Sequence, residues 1–550
     1  MSNLRIGRLQ LFTRNNYKIS GKTAKKCFIL DTINNKEIDN KEIDNKEINN
    51  KVINNKEIDN YKTLLIYTQK EFQPDKYVLV DINLKIVINT YGLIGNINDD
   101  LSIYYHMFTY SWLPKKKYEE LFLKLFFKNN YEYDIVKERI IYENIVTTVD
   151  PEGSLDLDDG YYLFEDNDNY YLDIHIADPI SYFNFSEDLD ITMNIFDELI
   201  NRLNTCYINC PKINNLFPES FVKKVTLIGE NKRSILFKTI INKNNNNISF
   251  EIQKTIIKNK INNMSYEKFD EYINSLPNVP SLNNNSIKNN IILVSNILID
   301  NMNLNLPKIN YNYKSISHNF IEIIMVWINF KTGNYLSNIN NNIIIRVQEK
   351  KISENSEKIN TNVITFINNL LNFSASYKYI DSDKNNNFHN SLNLVNYCHI
   401  SSPMRRFIDL YNHCIIHDSF DFINKYFTSH NINLTHINYK IKKQKKISMA
   451  YDLIKFIHTN KDYVFNAVIL KIKNNIYLEN NTDLENNTIN KIVTLAIYSM
   501  ELDFKKIIVT KIPYNDSLKL YTTFKAKLCY NSSHFKNNIF PFSIVIINTC

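Results

Sequence analysis

The stretch Asp150-Pro151-Glu152-Gly153-Ser154-Leu155-Asp156-Leu157-Asp158-Asp159-Gly160 places four aspartates within ten residues around a turn. Ionised carboxylates at such spacing repel one another, and their pKa values rise unless a positive charge neutralises them. Hard divalent cations such as Mg²⁺ take oxygen ligands of this kind and keep several waters. A solvated acidic loop would carry the same residues, so the neighbouring sequence has to decide. Downstream, Ser402-Pro403 predicts a helix start that presents Arg405 and Arg406 at a fixed place. A guanidinium binds phosphate bidentately and cannot lose its proton, so it can stabilise charge developing on phosphate. A basic helix start making surface ion pairs is the plainer alternative.

The elements around the aspartates favour chemistry. Ile145-Val146-Thr147-Thr148-Val149 reads as a β-branched strand before them, and Tyr161 to Phe164 with Asn169 to Asp178 reads as a strand pair after them. The carboxylates therefore sit on a loop held by a sheet, the rigid support that binding a metal and a substrate requires. Asn319 to Asn329 predicts a long apolar helix carrying a single Glu322. A glutamate there is costly unless paired, so its burial would mark a function. Tyr118 to Phe127 predicts a helical connector with a solvated lysine face.

Composition bounds the rest. The 550 residues suffice for two to four domains with sizeable cores. The net charge of +7 suits an acidic partner without demanding one. Seven scattered cysteines argue against a disulfide framework and for a reducing compartment. Cys206 and Cys210 have the spacing of half a zinc site, and no second pair completes it. Met1 to Arg5 opens no signal peptide, and the strongly apolar run Phe320 to Ile328 is too short to span a bilayer, so the chain reads as a cytoplasmic protein with no membrane contact. The tract from Lys36 to Asn60 repeats Asn-Lys-Glu-Ile-Asp with a period of five, which suits neither helix nor strand and predicts a flexible insertion.

Thr148-Val149-Asp150-Pro151 running into Asp156-Leu157-Asp158-Asp159-Gly160 resembles the signature of the ribonuclease II/R (RNB) exoribonuclease family, and Leu172 to Asp178 resembles its next strand. Tyr397-Cys398-His399-Ile400-Ser401-Ser402-Pro403-Met404-Arg405-Arg406-Phe407-Ile408-Asp409-Leu410-Tyr411-Asn412-His413 resembles the family's second motif almost residue for residue, with Ser401, Met404 and Phe407 as departures. Asn319 to Asn329 resembles its core helix and retains Glu322, Met325 and Asn329, while Ile323 stands where the family has a second glutamate. Asn301 to Leu306 resembles the strand before that helix.

The resemblance implies an α/β (α+β) RNB catalytic domain flanked by all-β OB-type barrels. Along the chain it implies a partial OB-like, cold-shock-like β segment (1–35), the low-complexity linker (36–60), an OB-like barrel (61–110), the catalytic domain (111–460) and a diverged C-terminal OB-like domain (461–550). It implies a processive, hydrolytic 3′→5′ exoribonuclease that degrades single-stranded RNA to nucleoside 5′-monophosphates. Asp150, Asp156, Asp158 and Asp159 would hold one or two Mg²⁺ ions, or Mn²⁺ in their place, with Asp158 and Arg405 most coupled to chemistry. Tyr207, Tyr266, Glu322, Arg405 and Arg406 would contact substrate, Tyr207 by base stacking and Glu322 at the 3′-terminal ribose. His399 and His413 read as structural. The alternatives are a catalytically weak or inactive RNB-fold RNA-binding protein and a structural subunit of an RNA-degradation assembly; otherwise the chain is a monomer.

Overall fold

Short alternating strands near the N-terminus bury one face only if they find partners far along the chain, and the computed structural model supplies them. It describes residues 4–29, 63–128, 139–275, 287–348, 375–473 and 490–549, short breaks within those ranges excepted. Strands β1 (Leu4–Leu9), β2 (Tyr17–Ile19), β3 (Lys22–Ile29), β4 (Thr63–Tyr67), β5 (Lys76–Asp81) and β6 (Ile86–Leu93) form one sheet in the order β1-β5-β6-β4-β3-β2. Because β1 pairs with both β5 and β3, the sheet closes into a barrel. Strands from 1–35 and from 61–110 thus build one unit, since neither set alone closes a sheet; the repeat at 36–60 lies outside the described residues. Along β5 the faces alternate: Val78 and Val80 fill the barrel, while Tyr77 and Leu79 turn out against helix α1 (Ile97–Thr109). The Tyr77 hydroxyl donates to Asp100 Oδ1 at 2.6 Å.

Helix α2 (Lys115–Lys128) then leads into the central sheet. Its buried Tyr118 and Phe122 pack into the main core, so the connector is a structural part of the central unit. The sheet comprises β7 (Ile140–Tyr142), β8 (Thr147–Asp150), β9 (Asp159–Glu165), β10 (Asn169–Ala177), β11 (Lys232–Asn242), β12 (Ile248–Ile257) and β13 (Asn262–Ser265), in the order β13-β8-β9-β10-β11-β12-β7. Pairing is antiparallel inside and parallel at both edges. Between strands lie α3 (Leu189–Arg202) and α4 (Glu219–Val225); after them come α5 (Tyr266–Ser275), α6 (Ile287–Met302) and α7 (Ile316–Ser337). Asn301 and Met302 close α6, whose Ile291, Val294, Leu298 and Met302 bury one face at helical spacing, while residues 305 and 306 of the expected strand lie outside the described residues.

Helix α7 is apolar nearly all round, as a helix buried on several sides must be. Phe320 meets Tyr161 of the sheet edge-on at 4.9 Å, and the indole of fully buried Trp327 donates to Thr239 Oγ1 at 2.9 Å. On another side α7 carries the segment from Asn396 to Ser401, reached through β14 (Ile344–Val347) and β15 (Ser376–Tyr379). Helices α8 (Phe407–Ile416), α9 (Phe420–Ser429) and α10 (Leu434–Thr459) follow. The last sheet, antiparallel throughout, runs β18-β17-β16-β19-β20 with β16 (Val464–Lys473), β17 (Asn490–Ser499), β18 (Phe504–Pro513), β19 (Thr523–Tyr530) and β20 (Phe542–Thr549). The run Ile476 to Leu478 lies outside the described residues. The expected α/β unit is thus present, with a closed β barrel before it and a five-stranded antiparallel sheet after it. Helix α10 joins its ends: Ile447, Ala450 and Ile454 share one core with Ile6 and Ile103 on one side and Phe465, Phe524 and Ala526 on the other. Among the described residues no helix is long and apolar enough to cross a membrane.

Among the described glycines, Gly333 of α7 passes nearest to other backbone: an added Cβ would collide with the Asn396 carbonyl oxygen and stand 3.2 Å from Cys398 N. Backbone cannot yield as a flexible side chain would. Gly333→Ala is expected to destabilise the fold by about 2 kcal/mol or more, measured as a lowered urea midpoint; an unchanged midpoint would show that the two segments are not in contact.

Candidate active site

Strand β8 ends on Asp150 and β9 begins on Asp159, so the sheet fixes both ends of the acidic loop. Inside the loop, Gly153 takes φ +80°, the left-handed conformation that a tight turn asks of glycine. Leu157 is the loop's anchor. Its side chain is buried, its N–H donates to Thr226 Oγ1 at 2.9 Å, and its carbonyl accepts from Leu227 N at 3.1 Å. The Asp158 carbonyl accepts from Ala177 N at 2.7 Å, which ties the loop to the end of β10.

The two arginines do not begin a helix. Residues Ser402 to Arg406 form a turn, and α8 starts only at Phe407, with Arg406 extended at its N-cap. Asp409 organises this turn: its Oδ1 accepts from Ser402 N at 2.8 Å and from Arg406 Nη2 at 2.7 Å. From α7, Asn329 holds the approach, accepting from Ile400 N at 2.9 Å and donating to the Tyr397 hydroxyl at 3.2 Å. From the end of α3, the Leu203 carbonyl accepts from Phe407 N at 2.8 Å and Thr205 N donates to the Arg405 carbonyl at 3.0 Å. Leu203 does this at φ +61°, a strained conformation for a bulky residue that its surroundings must impose.

Acidic loop and arginine turn meet at Asp158, which is 2 % exposed. Its Oδ1 accepts from Met404 N at 2.8 Å, and its Oδ2 lies 3.4 Å from Arg405 Nε. The two guanidiniums diverge: Arg405 faces the carboxylates, while Arg406 turns back to Asp409 and Ser401. Burial, then Asp159 and Asp156, push Asp150 up to about 7 against the opposing pull of Arg405. Burial pushes Asp159 up to about 6 despite Arg405 and Arg406, and it raises Asp156 and Asp158 as well. Burial alone would lower Arg405, but the carboxylates led by Asp158 raise it, so it stays charged.

Tyr207, 54 % exposed, stands within hydrogen-bonding reach of Arg405 and in the field of Asp156 and Asp158. Tyr266 opens α5 and stacks on His318 of α7, ring centroids 3.9 Å apart at 17°. Burial, Asp159 and Asp150 push its hydroxyl up to about 12, which places it beside the acidic group. The four aspartates, Arg405, Tyr207 and Tyr266 thus share one neighbourhood. Glu322 is exposed on α7, one turn beyond His318, so the burial that would have marked it is absent. Asp409, Asn329 and His318 were given no role by sequence reasoning, although Asp409 stands three residues after Arg406, a spacing that signals an ion pair in a helical start.

The donor chemistry fits a hard cation: Asp150 Oδ2, Asp156 Oδ2 and Asp158 Oδ2 are buried oxygens without a hydrogen-bond partner. Among the described residues, however, no group of three His, Cys, Asp or Glu side chains is arranged so as to hold an ion.

A mixed sheet that sets a carboxylate loop against an arginine turn, with a closed β barrel before it and a β sheet after it, defines a protein of the RNB type. The RNB domain family model matches residues 139–421, more than half of the chain, and the chain belongs to that family. Among solved structures it is similar to the apo form of Mycoplasma genitalium RNase R, with 14% identity, TM-score 0.61, and 99% of this chain and 89% of that one covered. The same protein in complex with ribose-methylated single-stranded RNA gives 13% identity, TM-score 0.60 and coverage of 98% and 89%. Yeast Ssd1, a pseudonuclease, gives 14% identity, TM-score 0.52 and coverage of 83% and 61%. At these identities the likeness is one of fold. No curated protein matches the chain by sequence.

Crowding of the carboxylates has a measurable sign. A carboxyl raised from 3.8 to about 7 contributes stability that is fully present below 3.8 and lost as pH rises through about 7. Asp150→Asn removes that loss. In chelator, its stability advantage over the unsubstituted protein should grow by on the order of 2 kcal/mol between pH 5 and pH 8 in urea titrations; an advantage that does not change with pH would sink this account of the site.

Proposed function

We propose that the chain is a hydrolytic, processive 3′→5′ exoribonuclease that degrades single-stranded RNA to nucleoside 5′-monophosphates. The observation that carries this reading is the contact of Asp158 with Met404, 246 residues away in sequence, and with the next residue, Arg405, which brings a buried acidic group and a permanently charged guanidinium to one place. Carboxylates beside a guanidinium suit hydrolysis of a phosphodiester and give little purchase on a neutral substrate.

In this reading Asp150, Asp156 and Asp159, with Asp158 contributing, hold one or two Mg²⁺ ions, or Mn²⁺. Bound there, the metal supplies an activated water and neutralises charge at the leaving oxygen. Arg405 binds the scissile phosphate and stabilises its charge, held in aim by Asp158 and by the backbone bond from Thr205. Arg406 holds the turn through Asp409 and adds positive potential behind that phosphate. Exposed Tyr207 offers a base a stacking platform worth about 1–3 kcal/mol with any nucleobase. Tyr266, beside the acidic group, and exposed Glu322 are candidates for the 3′-terminal ribose, whose 2′-hydroxyl separates RNA from DNA.

A second reading, an RNA-binding protein that does not cut, draws on the absence of three convergent ligands among the described residues and on the fold shared with a pseudonuclease. One experiment separates the two. A 5′-labelled single-stranded RNA and its DNA counterpart are incubated with the protein, with Mg²⁺ or with chelator. A metal-dependent ladder shortening from the 3′ end on RNA alone is expected, and Asp158→Asn should slow it at least about 100-fold while RNA binding persists. Intact RNA that is nevertheless bound would establish the second reading, and neither cleavage nor binding would reject both.

A further inference from the structure

A third arginine stands behind the turn that presents Arg405. Arg346 lies on β14, whose neighbour Ile345 bridges to Cys398, and its own N–H donates to the Tyr397 carbonyl at 2.7 Å. It is therefore placed directly beside the segment that leads into the arginine turn. Its Nη1 donates to the Tyr377 hydroxyl at 3.2 Å, and Tyr377 lies 2.8 Å from His399 Nδ1. Since the hydroxyl accepts from Arg346, its own proton is free to go to His399, which leaves that ring neutral with its proton on Nε2. Burial first, then Arg406, Arg346, His389 and Arg405, keep His399 well below its ordinary value, so three guanidiniums act on one ring.

Among the described residues, Arg346 has no carboxylate beside it; Arg233, which also lacks one, donates instead to the Ser181 carbonyl at 3.0 Å and covers the Tyr182 ring. Arg405 has Asp158, Arg406 has Asp409, Arg139 has Asp178 and Arg202 has Glu198. Among the described residues no carboxylate pairs with Arg346, although it is half-buried and held in a fixed geometry by a tyrosine. A half-buried guanidinium that lies over the Tyr377 ring at 5.5 Å and has no carboxylate beside it keeps donors that an anion from outside can take. Its fork matches a phosphate.

We propose that Arg346 is a second phosphate-binding arginine, which takes a backbone phosphodiester of the nucleic acid next to the one at Arg405, with Tyr377 as its positioning residue. The inference rests on the RNA reading above and adds to it a contact for the chain upstream of the cut. Being sequence-independent, the contact fixes register along the strand and leaves base identity unread.

The test is the salt dependence of binding. A fluorescein-labelled single-stranded oligoribonucleotide is titrated in chelator, so that no cleavage intervenes, over a series of salt concentrations. Each phosphate contact on a single strand contributes about 0.7 to the slope of log K against log salt. Arg346→Ala should lower the slope by about that amount, Arg346→Gln should do the same while keeping the stem and a hydrogen bond to Tyr377, and Arg346→Lys should restore it. Lys425→Ala, which removes an exposed charge on α9, should leave the slope unchanged. If the unsubstituted protein binds RNA with a salt-dependent affinity and both neutral variants keep its slope, the Arg346 contact is refuted and the RNA reading stands. An equal drop in Lys425→Ala would also overturn it, because the effect would then be one of net charge. If the unsubstituted protein does not bind RNA, the reading beneath the inference fails and takes it down as well.

Discussion

A buried carboxylate cannot remain unpaired in a protein interior, and Asp158 meets that constraint by reaching across the fold to the arginine turn. Removing one partner of such a pair costs more than the pair contributes, because the survivor is left charged and desolvated. The two halves of the site are thus mutually dependent: the loop between β8 and β9 needs the turn before α8 as a partner, and the turn takes its orientation partly from the loop. Everything else in the central unit can be understood as holding these two segments within one hydrogen bond of each other.

That support comes from three directions. The sheet fixes the loop through β8, β9 and the Leu157 anchor; α7 fixes the approach to the turn through Asn329 and the close passage at Gly333; the end of α3 fixes the turn itself through Leu203 and Thr205. The strain at Leu203 belongs to this scheme. An unfavourable backbone conformation persists only where the surroundings over-determine it, and here it aims a carbonyl at the first N–H of α8.

Much of this was legible in the sequence. The strands flanking the aspartates follow from period and residue type, while the RNB resemblance implied the core helix at Asn319 to Asn329, the order of the two motifs and the fold. What was hidden follows from tertiary context. Ser402-Pro403 has the local chemistry of a helix start, yet Asp409 accepts from Ser402 N and delays the helix to Phe407. Asn301 to Leu306 resembled a strand, but Met302 continues the buried face of α6. Burial would have marked Glu322 as functional, but a helix packed on several sides can still leave one position open, and Glu322 occupies it. Arg346 carried no signal at all, since a lone arginine in a strand is marked only by the partner it lacks.

The core that α10 gathers has a temporal side. It joins Ile6, near the beginning of the chain, to Phe524 and Leu528, near its end. During synthesis α1 covers Tyr77 and Leu79 early, but the face of α1 that meets α10 must wait for about three hundred residues before that helix exists. Contacts of such sequence separation form late and leave apolar surface open to the wrong partners meanwhile. The chain's exposure to aggregation should therefore be set by how long the ribosome takes to reach α10, and slow translation of the middle of the message would prolong the most vulnerable stage of its folding.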